Sequence, residues 1–429
     1  MINSWRKETI CVQGGYNPKV GEPRIPAIVQ STTYKYDNPD HLAELFDLKT
    51  SGHMYSRISN PTVEAFESKV AALEKGVGAL ATASGQSATL LSILNICSSG
   101  DNILATSTLY GGTFTLFSSS LKKFGVEVSF VNPDLPASEI LSYAKENTKA
   151  IFAETISNPS LKLLDFEKFS YISKTLGIPL IVDNTFPTPV LCNPFEHGAN
   201  IIVHSATKYI DGHGTSIGGV IVDGGNFNWC NGKFPELTEP DPSYHGLSYI
   251  KEFKNLAYIT KARVHLLRDL GPALSPFNGF LLNLGLDSLT LRMERHSSNA
   301  LNLSKFLSTH PKVSWVNYPK LEGHPSFELS EKYLPLGGSG IVTFGVEGGR
   351  AAAKKLIENL KLASLVVHLG DVRTSVIHPA STTHRQLSDE ELAASGVHGD
   401  LIRVSVGIEH IEDIINDFVQ GLDSLKEEI

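Results

Sequence analysis

From residue 77 to residue 222, short apolar runs alternate with stretches of helical periodicity, and no other feature of the 429-residue sequence restricts its fold so tightly. The runs predict strands at 78–83, 102–106, 127–131, 150–154, 179–183, 200–204 and 218–222. Helical patterns at 87–96, 113–124 and 166–176 lie among them. Runs apolar on both faces, linked by helix-length segments, belong in a mostly parallel sheet covered by helices above and below. Such sheets bind ligands just beyond the carboxyl ends of their strands. The chemically interesting side chains fall at those ends: Ser84, Gly85 and Gln86, Tyr110, Asn158, Asp183, and Ser205 to Lys208.

The flanks read differently. Residues 1–60 are rich in Pro, Thr and Tyr and lack apolar periodicity, so they predict an irregular arm that lies across another surface, such as a second subunit. Asn60-Pro61 ends the arm, and Thr62 opens a predicted helix at 63–73. Residues 224–248 are polar and Pro-rich and predict a loop. Helical periodicity then runs from 256 to 306, followed by strands at 313–318 and 340–345, a helix from 350, a strand at 402–406 and an amphipathic helix at 412–425. The expected organisation is an arm (1–60), a central α/β unit (61–260) and a smaller α+β unit (261–429). Internal repeats and low-complexity tracts are absent.

Composition bounds the function. With 41% apolar and 19% charged residues the chain reads as soluble and globular. A net charge of -8, without a run of five like charges, argues against nucleic acid or an anionic membrane as partner. Cys11, Cys97, Cys192 and Cys230 are far apart and show no C-x-x-C spacing, so neither a disulfide scaffold nor a zinc ribbon is expected, and Cys97 reads as core. Residues 1–8 lack an apolar signal core, and no segment approaches the roughly 20 apolar residues of a membrane span. The expected location is a reducing one, the cytoplasm.

The chemistry centres on His204-Ser205-Ala206-Thr207-Lys208 and the Gly-rich tail after it. Burial lowers a lysine's pKa, and a neutral amine forms Schiff bases with aldehydes. Ser205 and Thr207 supply hydroxyls of the kind that hold a phosphate. An aldehyde and a phosphate on one small molecule point to pyridoxal 5'-phosphate (PLP); a solvated loop lysine is the plain alternative. Ser84-Gly85-Gln86-Ser87, between a strand and a helix, offers free amides to a phosphate or simply an N-cap. Asp183 ends a buried strand and needs a partner, either a ring nitrogen or a structural ion pair. Tyr110 can stack on a flat ring or merely pack. Arg403 is a charge inside an apolar strand and calls for a substrate carboxylate or an internal salt bridge. His204, His213, His368, His378 and His384 show no metal spacing such as H-E-x-x-H, so no metal is expected. The absence of G-x-x-x-x-G-K-[ST] argues against a nucleotide-binding protein.

Taken in order, Tyr55-Ser56-Arg57, Asn60-Pro61-Thr62, Ser84-Gly85-Gln86, Leu109-Tyr110-Gly111-Gly112-Thr113, Asn158-Pro159, Asp183-Asn184-Thr185, Ser205-Ala206-Thr207-Lys208-Tyr209, His378 to His384 and Arg403-Val404-Ser405-Val406-Gly407 resemble the Cys/Met-metabolism family of PLP enzymes of fold type I over almost the whole chain. Ser243-Tyr244-His245-Gly246 and Ala393-Ala394-Ser395-Gly396-Val397 resemble its fungal O-acetylhomoserine sulfhydrylase branch. The resemblance implies that Lys208 carries PLP. It implies a phosphate site of Ser205, Thr207, Gly85 and Gln86, completed by Tyr55 and Arg57 of a neighbouring subunit. Asp183 would meet the ring nitrogen. Tyr110 would stack on the ring and act as acid or base, while Asn158 and Arg403 would hold the substrate carboxylate. Thr374 stands where the family places a substrate-contacting Ser. An obligate dimer, doubled to a tetramer, is implied. So is γ-replacement: O-acetylhomoserine and sulfide giving homocysteine and acetate. Two departures matter. Gly112 stands where γ-lyases place Cys, and Arg373 stands where cystathionine-handling members carry Glu, which argues against cystathionine. Cystathionine γ-synthase or γ-lyase chemistry, and side activity on O-acetylserine, are the alternatives.

Overall fold

Seven strands form where the apolar runs stand: β1 (Gly78–Thr82), β2 (Asn102–Thr106), β3 (Glu127–Val131), β4 (Thr148–Glu154), β5 (Leu180–Asp183), β6 (Ile201–Ser205) and β7 (Gly219–Asp223). The computed structural model describes residues 5–382, 385 and 398–425. The strands make one sheet in the order β1-β7-β6-β5-β4-β2-β3. From β6 to β3 all neighbours are parallel, and β7 runs antiparallel to both β1 and β6. Ile151, Phe152, Leu180, Ile181, Val182, Ile201, Ile202, Val220 and Ile221 are all buried in its core. At roughly 1.5–3 kcal/mol for each fully buried aliphatic side chain, this seam drives the assembly of the central layer.

Two helices pack closely on this sheet, one against β1 and one against β6 and β7. Helix Pro61–Glu74 is capped by Asn60, whose side chain accepts the Thr62 N–H, and has Pro61 in its first turn. It buries Phe66, Val70 and Leu73, and also Glu67, Lys69 and Glu74. Helix Gly85–Leu94 starts at Ser84, whose hydroxyl accepts the Ser87 N–H at 3.1 Å.

A second sheet has the order β10-β11-β12-β9-β8, from β8 (Val313–Asn317), β9 (Ile341–Val346), β10 (Ser364–Leu365), β11 (Ser375–Ile377) and β12 (Leu401–Ser405). It is antiparallel except between β10 and β11. Ala300, Leu303 and Leu307 of helix Leu289–Ser308 and Phe418 and Leu422 of helix Ile411–Asp423 join its own core. Among the described residues no helix is long and apolar enough to cross a membrane.

Several expectations need correction. The arm is not wholly irregular: Lys7–Gln13 and Pro39–Phe46 are helices. The first is two turns long and buries only Ile10 and Cys11, too few positions to show a period. The helical stretch from 256 to 306 is interrupted at Gly271, which has φ 84°, and again before Pro276 and at Ser288. The predicted helix 113–124 is a short α-turn, a π-turn and a 3-10 turn in succession. The loop 224–248 contains the short helix Pro235–Thr238. Strands β10 and β11 were not predicted; at two and three residues they show no alternation. His384 and the 393–397 motif lie outside the described residues.

Candidate active site

Lys208 follows β6 in a tight turn whose shape is set from three sides. The Lys208 N–H donates to Ser205 O at 3.2 Å, and Gly212 N–H donates to Lys208 O at 2.8 Å. Asp211 accepts the Thr215 N–H at 2.9 Å and the Thr215 hydroxyl at 2.7 Å, closing the Gly-rich tail. Arg292 donates to Tyr209 O and to Gly285 O, each at 2.7 Å, and so clamps the turn to the helices beneath. Burial, and then the charge of Arg403, lower the Lys208 amine from the ordinary 10.5 to about 8. A fraction of it is therefore unprotonated and nucleophilic near neutrality.

Two carboxyl groups end adjacent strands of the same sheet. Glu154 of β4 and Asp183 of β5 stand opposite one another in the parallel ladder. Burial raises both pKa values, and the Asp183 charge raises Glu154 further, well above the usual carboxylate range. One Asp183 oxygen accepts the Thr185 N–H at 2.9 Å. Glu154 accepts the Tyr110 N–H at 2.6 Å. Both carboxyls are thus biased toward the neutral acid form by burial, which suits groups that meet a basic partner such as a ring nitrogen.

The start of helix Gly85–Leu94 presses against the end of β6. A Cβ on Gly85 would lie 2.7 Å from Ser205 Cβ, so only glycine permits this approach. Ser84 takes the Ser87 N–H, but the Gly85 and Gln86 amides have no helical carbonyl to bond, and with the Ser205 hydroxyl beside Gly85 they offer donors to an anion. Thr207 is less free: its hydroxyl donates to Gly218 O at 3.2 Å and accepts Gly218 N–H at 3.1 Å. Gln86 lines the same corner. A Cβ on Gly112 would meet Tyr110 Cε1 at 2.5 Å and Gln86 Nε2 at 2.8 Å, so the Tyr110 ring, 49% exposed, folds over that glycine.

Arg403 comes from β12 of the second sheet. Its guanidinium is buried and donates to Asn158 Oδ1 at 3.2 Å, while its Nε has no partner. No carboxylate of the chain forms an ion pair with it among the described residues, which removes the salt-bridge alternative. Burial lowers its pKa to about 10. A buried cation with an idle donor is a receptor for an anion. Thr374 is buried, and its hydroxyl donates to Glu409 at 2.8 Å while accepting the Gly407 N–H at 2.9 Å. Tyr55 and Arg57 lie apart: Tyr55 is 40% exposed, the Arg57 guanidinium sits 5.2 Å from its ring centre, and neither side chain bonds to the groups above among the described residues. Arg373 makes paired contacts to Asp371 at 2.9 and 3.1 Å.

Sequence reasoning passed over Glu154, although it carries the same signal as Asp183, an acid at the end of an apolar strand. It also passed over Arg292, a helical residue that donates to backbone carbonyls, and Glu409, a loop residue that accepts both the N–H and the hydroxyl of Thr374. The sequence shows no role for His368 beyond a metal ligand without metal spacing. Burial and then the Lys208 charge lower its pKa, and its Nε2 is buried without a partner. No group of three metal-ligating side chains occurs among the described residues.

An amine near pKa 8, free amides at a helix start and buried acids with raised pKa at strand ends suit PLP, and the idle guanidinium suits a carboxylate-bearing substrate. Comparison with known proteins agrees. Residues 8–423 match the family described as Cys/Met metabolism PLP-dependent enzyme. The chain is 47% identical over 435 residues to the O-acetyl-L-homoserine sulfhydrylase of Leptospira meyeri, covering 99% of this chain and 98% of that protein. It is 47% identical over 426 residues to the homocysteine synthase of Schizosaccharomyces pombe, covering 98% and 99%. A crystal structure of an O-acetylhomoserine (thiol)-lyase from Campylobacter jejuni, solved with N'-pyridoxyl-lysine-5'-monophosphate, superposes with a TM-score of 0.94 at 38% identity, covering 98% of this chain and all of the other. Sequence, fold and site chemistry together establish that the chain belongs to the Cys/Met metabolism family of PLP-dependent enzymes.

Proposed function

We propose that the protein catalyses γ-replacement on O-acetylhomoserine: sulfide joins Cγ, acetate leaves, and homocysteine is formed. The observation that carries this reading is a juxtaposition across the two sheets. The amine of Lys208, held near pKa 8, lies in the field of Arg403, whose buried guanidinium has a donor to spare. Relatives sharing 47% identity over nearly the whole chain bear the names of this activity.

Bound at Lys208, PLP supplies an electron sink for the pair left when a proton departs from the substrate's Cα. The chain does the rest. Arg403, steadied by Asn158, grips the α-carboxylate and fixes which bond faces the amine. Lys208, once free, takes the Cα proton and returns protons to the carbon skeleton. Asp183 would meet the ring nitrogen and hold a proton there. Gly85, Gln86, Ser205 and Thr207 would hold the phosphate, Thr207 by giving up its bond to Gly218. Tyr110 would stack on the ring and exchange a proton as substrate enters. Thr374, held by Glu409, shapes the wall beside the carboxylate. Tyr55 and Arg57 serve the phosphate site of a second copy, in a dimer that pairs into a tetramer. The reading includes a cytoplasmic location.

Arg373 supports sulfide over cysteine as the incoming thiol. With Asp371 it presents a neutralised pair, not a free acid for an ammonium group. The test is to incubate the purified protein and PLP with O-acetylhomoserine and either sulfide or cysteine. Homocysteine formed with sulfide, and little cystathionine with cysteine, is expected. Cystathionine as the main product would replace this reading with a synthase.

A further inference from the structure

Behind the strand ends that carry the site lies a buried polar network centred on Glu74, the last residue of helix Pro61–Glu74. Its side chain is wholly buried, as is that of His204. Glu74 Oε1 accepts from His204 Nε2 at 2.7 Å and from Asn184 Nδ2 at 2.9 Å. Its Oε2 accepts from Asn193 Nδ2 at 3.1 Å. Asn184 Oδ1 in turn accepts the Thr155 hydroxyl at 2.9 Å.

The positions of these partners are telling. Thr155 follows Glu154 on β4, Asn184 follows Asp183 on β5, and His204 precedes Ser205 on β6. Successive side chains of a strand point to opposite faces. Each site residue on three adjacent strands is therefore backed by a neighbour that points the other way, and Glu74 ties those neighbours together. Backbone bonds continue the ladder at the same level, from Thr155 N–H to Asp183 O and from Asn184 N–H to Val203 O, both 3.0 Å. Apolar residues would fill this space with less desolvation cost, as Val220, Ile221 and Val222 do on β7. A buried carboxylate that takes three donors fixes geometry instead, because a slip of any strand leaves a buried donor unmet.

We propose that Glu74 is a positioning residue that sets the relative heights of β4, β5 and β6, and through them the placement of Asp183, Ser205 and Lys208 around the cofactor. This inference rests on the PLP reading of the site. Glu74 does not touch the cofactor or the substrate. Its effect is on how well the chain holds a group whose ring nitrogen is met from the end of β5 and whose phosphate and aldehyde are met from the end of β6 and the turn after it.

The test compares Glu74→Ala, Glu74→Gln and Asp417→Ala. Asp417 is a buried carboxylate of the second core that accepts the N–H groups of Lys361, Leu362 and Ala363, far in sequence from the site strands, and serves as a stability control. Three quantities are read: the PLP dissociation constant of the stripped protein, the pH midpoint of the holoenzyme's cofactor absorbance, and kcat with KM. Glu74→Ala is expected to weaken PLP binding by about tenfold or more and to lower kcat with little change in KM. It is also expected to move the absorbance midpoint. Glu74→Gln, which keeps one acceptor oxygen, recovers part of the loss. Asp417→Ala lowers Tm but leaves PLP affinity and the midpoint in place. If Glu74→Ala fails to fold, Asn184→Ala cuts the same link more gently and is expected to shift affinity in the same direction. Wild-type PLP affinity and midpoint in Glu74→Ala, or in Asn184→Ala where that variant stands in for it, overturn the inference alone. A wild-type protein that takes up no PLP overturns the functional reading, and this one with it.

Discussion

At Lys208 burial and charge act in the same direction. Desolvation disfavours the ammonium, and the Arg403 guanidinium repels it, so the amine loses its proton at about 8 instead of 10.5. The neutral amine is the form that attacks an aldehyde. The rate at which the stripped protein takes up PLP is therefore expected to climb with pH through about 8 and to level off above it. Stopped-flow absorbance from pH 6.5 to 10 reads this directly. A rise that continues toward 10.5 would mean the amine is solvated and the burial argument wrong. The acids of the same sheet behave in the opposite sense. Burial raises the pKa of both Glu154 and Asp183, and the Asp183 charge raises Glu154 further, because two carboxylates cannot both ionise cheaply at adjacent strand ends out of water.

At the scale of elements, the edge of the sheet carries a related cost. Asp223 ends β7, one oxygen accepts the Gly225 N–H at 2.8 Å, and the other is buried without a partner. Burial raises its pKa from the ordinary 3.8 to about 7. An acid with a raised folded-state pKa stabilises the fold fully below its unfolded value and loses that advantage as pH rises toward the folded one. Asp223→Asn is accordingly expected to stabilise the protein at pH 8, on the order of 2 kcal/mol, and to change little at pH 4. Thermal or urea unfolding at the two pH values checks this; equal effects at both would contradict it. The central strands were legible in the sequence because burial on both faces leaves uninterrupted apolar runs, and β2 and β3 begin and end where those runs do. Lys208, Asp183, Arg403 and the Gly85 corner were legible because a charge or glycine in such a run is chemically out of place. The rest was hidden for physical reasons. Helix Lys7–Gln13 is held by tertiary packing of two residues, and the turns after Tyr110 change helix type within one apolar pattern. Glu74 reaches Asn184 and Arg292 reaches the Tyr209 carbonyl, each more than 80 residues away, which no local period reveals.

For the whole molecule, the proposed function assigns the exposed Tyr55–Arg57 pair to the phosphate site of a second copy. Mixing an Arg57→Ala protein with a Lys208→Ala protein, each inactive, under conditions that exchange subunits is expected to restore about a quarter of wild-type activity, because one intact site forms in each mixed dimer. No recovery despite exchange would show that each chain completes its own site. Arg403 lies on β12 of the second sheet and Thr374 directly precedes β11, so the proposed site draws residues from both sheets. All of this depends on a covalent attachment that a single experiment reads. Borohydride reduction of the PLP-loaded protein followed by peptide mass spectrometry is expected to find one phosphopyridoxyl group, on Lys208; an adduct on a different lysine, or none, would contradict the account.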